Sequence, residues 1–184
     1  METWIGLGVV ALLVLYAILI YNGLVSKRNR VQNACAQIDV QLKRRHDLIP
    51  NLVESVKGYM GHERGVLENV TRARAEAVAA GADVAQRGQA ENQLTQALRS
   101  LFAVAEAYPD LKASQNFLAL QEELSSTENK VAFARQFYND SVMEYNVAQH
   151  SFPASIFAGP LGFSLSTLFV TEDAADRAVP QVQF

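Results

Sequence analysis

The chain has 184 residues, 49% of them apolar and 19% charged, with one cysteine and a formal charge of −3. That is enough for one buried core; one cysteine rules out an intramolecular disulfide and a cysteine-based zinc site, and the near-neutral total argues against a simple nucleic-acid binder. With only 5 Pro and 10 Gly the composition leans to helix rather than to disorder or a many-turned β architecture. The mild total hides a division. Residues 27–74 hold ten Lys/Arg against five Asp/Glu, a net of +5, whereas residues 75–184 hold six against thirteen, a net of −7; Glu2 supplies the remaining −1.

Residues 4–21 (WIGLGVVALLVLYAILIY) carry no charge. As a helix they extend about 27 Å at roughly 1.5 Å per residue, close to the hydrocarbon thickness of a bilayer, so a transmembrane anchor is expected. Trp4 and Tyr21 stand at its two ends, where amphipathic rings favour the interfaces. A cleaved signal peptide fits less well, because Met1-Glu2-Thr3 contains no Lys or Arg and no Ala-x-Ala-like site follows. Lys27, Arg28 and Arg30 come directly after the span. The bias of cytoplasmic flanks toward Lys/Arg predicts a single-pass membrane protein, N-terminus outside and C-terminal domain cytoplasmic.

From residue 25 to 149 apolar residues recur at helical spacing. Val31, Ala34, Cys35, Ile38 and Leu42 lead into Ile49, Leu52, Val53 and Val56, with Pro50 inside the run. Proline removes a helical hydrogen bond and crowds the preceding turn, so a kink near Pro50 or a new helix from about Asp47 is expected. The pattern continues through Met60, Val66, Leu67 and Val70 to about Ala80, where Gly81 suits a helix end and Asp83 an N-cap. A helix over about 83–107 buries Leu94, Leu98, Leu101, Phe102 and Ala105, and Tyr108-Pro109-Asp110 ends it. The last helix, about 111–149, sets Phe117, Leu124, Val131, Tyr138 and Tyr145 seven apart, with Leu120, Thr127, Ala134, Ser141 and Ala148 alternating, which is the pattern of a coiled-coil-like seam. The predicted fold class is all-α: an N-terminal transmembrane helix followed by an elongated antiparallel bundle of three to four long helices. The domains read as an anchor over 1–24, a helical bundle over 25–150, and an apolar C-terminal segment and tail over 151–184.

Three strings carry a family likeness: YNGLVSKRNRVQNACAQIDVQLKRRHDLIPNLVESVKGYM (21–60), LFAVAEAYPDLKAS (101–114) and LSSTENKVAFARQFYNDSVMEYN (124–146). In this order and spacing the chain resembles the LemA family of bacterial membrane proteins over about residues 21–169. The resemblance implies a membrane helix with a short outer end and a large cytoplasmic part folded as a long-helix bundle, and it supplies no enzymatic activity. Beyond Val170 the tail departs from the pattern.

No reaction centre emerges from the residues. His46, His62 and His150 fall in no HExxH or Glu-x-x-His spacing, Cys35 sits on an apolar stripe without a base at suitable spacing, and no Gly-rich phosphate loop occurs. No catalytic residue, metal site or cofactor is therefore expected. Two features point to binding instead. Lys43, Arg44 and Arg45 form a basic cluster roughly 30 Å below the anchor at about 1.5 Å per residue, beyond a screening length of about 10 Å, which fits an acidic protein partner or an intramolecular match to Glu122, Glu123, Glu128, Asp140 and Glu144. Residues 151–170 are twenty without a charge, yet Pro153, Gly159, Pro160 and Gly162 make them a poor membrane span. Ile156, Phe157, Leu161 and Phe163 in that segment need burial, with self-association the favoured source and the bundle's own side or the bilayer as rivals. The function expected is a non-enzymatic, membrane-anchored scaffold or interaction protein, bound to the lipid bilayer, homo-oligomeric, and without nucleic acid. A membrane-shaping oligomer and a membrane-associated enzyme or cofactor-binding bundle are the alternatives.

Overall fold

The computed structural model describes residues 1–169 apart from Ala82. Six helices follow in order, α1 (Glu2–Lys57), α2 (Arg64–Ala79), α3 (Val84–Ala105), α4 (Pro109–Lys112), α5 (Gln115–His150) and α6 (Ala154–Ala158). Among the described residues there is no strand, and the fold is all-α as the periodicity predicts.

The differences from the sequence-based expectation lie at the helix ends. Helix α1 runs through Pro50 without interruption, so no new helix begins at Asp47. Proline at 50 leaves the carbonyl of His46, four residues earlier, without its helical donor. The Arg74 Nε–H of α2 takes that place, donating to His46 O over 2.7 Å. The expected continuation to Ala80 breaks instead at Gly58, and the chain turns through buried Met60 before α2 begins. Asp83 caps α3 as predicted, accepting from the backbone N–H groups of Ala85 and Gln86 at 2.8 and 3.1 Å. Pro109 opens the single turn α4, and the long last helix starts only at Gln115.

The chain forms two compact units. In the first, Met1–Gln41 with Lys130–Leu168, the helical stretch around Leu24, Val31, Ala34 and Ile38 packs antiparallel to the one around Val131, Ala134, Tyr138, Val142 and Tyr145. A return segment follows α5. Gly162, at φ 76°, adopts the left-handed conformation that glycine allows, and Phe163 N–H donates to Ala158 O. The segment then runs back along α5, where Gln149, Asn146 and Tyr138 donate in turn to the carbonyls of Ser164, Ser166 and Thr167.

The second unit, built on Leu42–Asn129, contains a closed core. Ile49, Leu52, Val56 and Met60 pack with Val70, Ala73 and Ala77 of α2, with Leu94, Leu98 and Leu101 of α3, and with Phe117 and Leu124 of α5. All five heptad positions Phe117, Leu124, Val131, Tyr138 and Tyr145 are buried, as a seven-residue apolar repeat on one helix requires.

Candidate functional site

Two places in the molecule depart from an ordinary apolar core, one in each unit. The first lies inside the second unit. Arg45 falls on the apolar stripe of α1, three residues after Leu42 and four before Ile49, and only 2% of it is exposed. Its Nη2 donates to Thr95 Oγ1 over 2.8 Å, and its Nη1 lies 3.6 Å from a carboxylate oxygen of Glu91, which is wholly buried. The other Glu91 oxygen is 2.7 Å from His46 Nε2, and Thr95 Oγ1 donates to the Glu91 carbonyl. Burial pushes the Arg45 guanidinium below its ordinary pKa, Glu91 and Glu128 push it back up, and Arg99 adds to the lowering. Beside this network is a cavity of about 190 Å³. Its walls include Arg45, Thr95, Arg99, Gln121, Ser125 and Glu128, and the buried Nε–H of Arg45 has no acceptor. Such a space has room for water or a small polar molecule.

The basic cluster expected on one surface is divided by the fold. Arg45 points inward, Arg44 pairs with Glu123 at 2.7 Å, and Lys43 is exposed. The Arg44–Glu123 pair is the intramolecular match that the sequence offered as an alternative to an acidic partner. Sequence reasoning missed Glu91, Thr95 and the role of His46. The signal was present: Glu91 stands three and seven residues before Leu94 and Leu98, a charged residue on an apolar helical face, as Arg45 is on α1.

The second place is the membrane-proximal end of the first unit. From Trp4 to Leu19 the large side chains are exposed, and this stretch of α1 is long and apolar enough to cross a membrane. Just below, Lys27 and Arg30 share Glu144 at 3.6 and 3.1 Å, and the guanidinium of Arg30 also lies over the Phe137 ring. Phe163 is buried, its ring 5.7 Å from that of Tyr21 and 5.4 Å from the Arg28 guanidinium. Ile156 and Leu161 are exposed and Phe157 half-buried, so of the four apolar residues singled out in this segment only Phe163 finds full cover within the chain. Residues 170–184 of the predicted tail lie outside the described residues. Among the described residues no group of His, Cys, Asp and Glu is placed to hold a metal ion.

An apolar helix leading into a domain of long helices agrees with the family likeness, and the LemA family model matches residues 34–184, most of the chain. The chain belongs to the LemA family. A LemA protein of Metamycoplasma hominis is 28% identical over 131 residues, which is 71% of this chain and 60% of the relative. Magnetosome protein MamQ of Magnetospirillum gryphiswaldense is 25% identical over 190 residues, 88% of this chain and 70% of that one. Magnetosome protein MamQ 2 of Paramagnetospirillum magneticum is 24% identical over 185 residues, 86% and 68% of the two. This LemA-family chain thus spans about three fifths of the LemA relative, and it is a membrane-associated helical protein.

Proposed function

We propose that this LemA-family chain is a membrane-anchored, non-enzymatic scaffold that self-associates, its helical domain on the cytoplasmic face of the inner membrane. One observation carries the reading. In the first unit the helix pair has an open side, a groove of about 590 Å³ between Ala36, Val40 and Phe133, Phe137, with Val40 63% and Phe133 71% exposed. Two helices enclose only part of their apolar surface, and a contiguous apolar patch is seldom left in water. The same pair from a second copy would complete a four-helix arrangement. The mass of the full chain in detergent tests this: a multimer is expected, reduced to monomer by Phe133→Asp, and a monomeric unsubstituted protein would overturn self-association. Lys27, Arg28 and Arg30 after the span support the orientation. Protease added to spheroplasts should leave the helical domain intact, and its digestion from outside would reverse the topology.

The cavity beside Arg45 favours a second reading, a small-anion site. The acceptorless Arg45 N–H and Arg99 set two cations against the one carboxylate of that wall, Glu128, a balance that suits a carboxylate or phosphate. Acetate and inorganic phosphate should then raise the unfolding temperature of the protein but not of an Arg99→Ala variant.

A further inference from the structure

The end of α5 and the return segment stand at a definite level along α1. Lys27 and Arg30 of α1 reach Glu144 of α5, and the two helices are antiparallel there. Six residues after Glu144 comes His150, the last of α5, and six residues before Lys27 comes Tyr21. At about 1.5 Å per residue both steps cover about 9 Å, so α5 ends level with Tyr21, the inner end of the apolar span. A second, independent contact gives the same level, since Phe163, where the chain comes back, touches the Tyr21 ring and the Arg28 guanidinium. The residues between, 151–162, are therefore held where the anchor leaves the bilayer. They contain no charged residue, and three of their four large apolar side chains are exposed, Phe152 by 81%, Ile156 by 59% and Leu161 as well, while Phe157 is half-buried.

We propose that residues 151–162 form a second membrane contact, an apolar element seated in the headgroup and upper acyl region beside the anchor. The occupant of this exposed face is lipid rather than a second copy, because the face continues the uncovered apolar surface of α1 at the same depth. It does not span. Helix α6 has five residues, flanked by Pro153, Gly159 and Pro160, and irregular backbone is tolerated at the interface but not facing hydrocarbon. Phe152, Ile156 and Leu161 suit the boundary layer, where an apolar face embeds by about 5–10 Å. Gly162 then turns the chain back, and Phe163 pins it to Tyr21 and Arg28. Two contacts in place of one would fix the rotation of the helical domain about the anchor axis, which a single helix leaves free.

This inference rests on the anchor reading, and the single tryptophan separates the two. The full chain is reconstituted into vesicles of phosphatidylcholine and phosphatidylglycerol, with and without lipids brominated near the top of the acyl chain. Trp4 in the unsubstituted protein reports the anchor. In a Trp4→Phe background, Ile156→Trp reports the segment and Val40→Trp serves as the reference remote from lipid. The expected result is that brominated lipid removes most of the Ile156→Trp emission and of the Trp4 emission, leaves the Val40→Trp emission unchanged, and that aqueous acrylamide quenches Ile156→Trp weakly. If Trp4 is quenched by brominated lipid but Ile156→Trp is quenched by acrylamide alone, the second contact is overturned and the anchor stands. If Ile156→Trp is protected from both quenchers, the segment is covered by protein and the inference is overturned in favour of self-association. If Trp4 itself is untouched by brominated lipid, both readings fall.

Discussion

The two units handle charge in opposite ways. In the second, Arg45 and Glu91 are buried, and the helices that bring them together meet only in the folded chain. In the first, Glu144 gathers Lys27 and Arg30 at the surface, where about half of each side chain meets water. Buried ions lose their hydration and depend wholly on each other, whereas exposed ions lose little when parted. The comparison teaches how differently the two units close: both bury an apolar seam, but the second hides an ion pair within its core, and the first keeps an open groove and exposed apolar side chains beside the apolar span of α1.

Four substitutions break or sharpen that contrast, all measured by chemical unfolding of the detergent-solubilised protein followed by helical circular dichroism. Glu91→Ala has the largest expected effect, about 3–5 kcal/mol of lost stability, because it strands the Arg45 guanidinium in the core and takes the partner from His46. Next is Arg74→Ala, about 1–3 kcal/mol, since the His46 carbonyl freed by Pro50 then lacks a donor in a part-buried place. In the first unit Gly162→Ala should cost about 1–2 kcal/mol, the penalty of a side chain in the left-handed region, and should loosen Phe163 from Tyr21. Glu144→Ala is expected to cost less than about 1 kcal/mol and to do so only at low salt. A Glu144→Ala loss as large as that of Glu91→Ala would erase the distinction between the units.

The order of effects also shows how much was legible beforehand. Seven-residue spacing in α5 placed five buried residues correctly, because a helix of that length must bury one stripe whatever it packs against. Asp83 was recognisable as a cap for the same local reason: its side chain satisfies N–H groups two and three residues away. Of the two outcomes the sequence predicts at Pro50, a kink or a new helix from about Asp47, the new helix does not occur, and Arg74, 24 residues later in sequence, serves the orphaned carbonyl. By sequence alone Arg45 belongs with Lys43 and Arg44 to one basic cluster. Three consecutive residues on a helix point in three directions, and one of them turned out to face the core.

By itself the sequence determined the all-α class, the apolar stretch with its basic flank, the buried stripe of α5 and the family likeness, all properties of short-range spacing and composition. Tertiary structure alone decided the rest. It paired Arg45 with Glu91 across 46 positions, gave Arg74 to the carbonyl that Pro50 left open, and returned Phe163 to Tyr21 across 142. Those choices depend on which faces of distant helices come together, and no local pattern encodes that, since each partner is compatible with many others until the core closes around one arrangement.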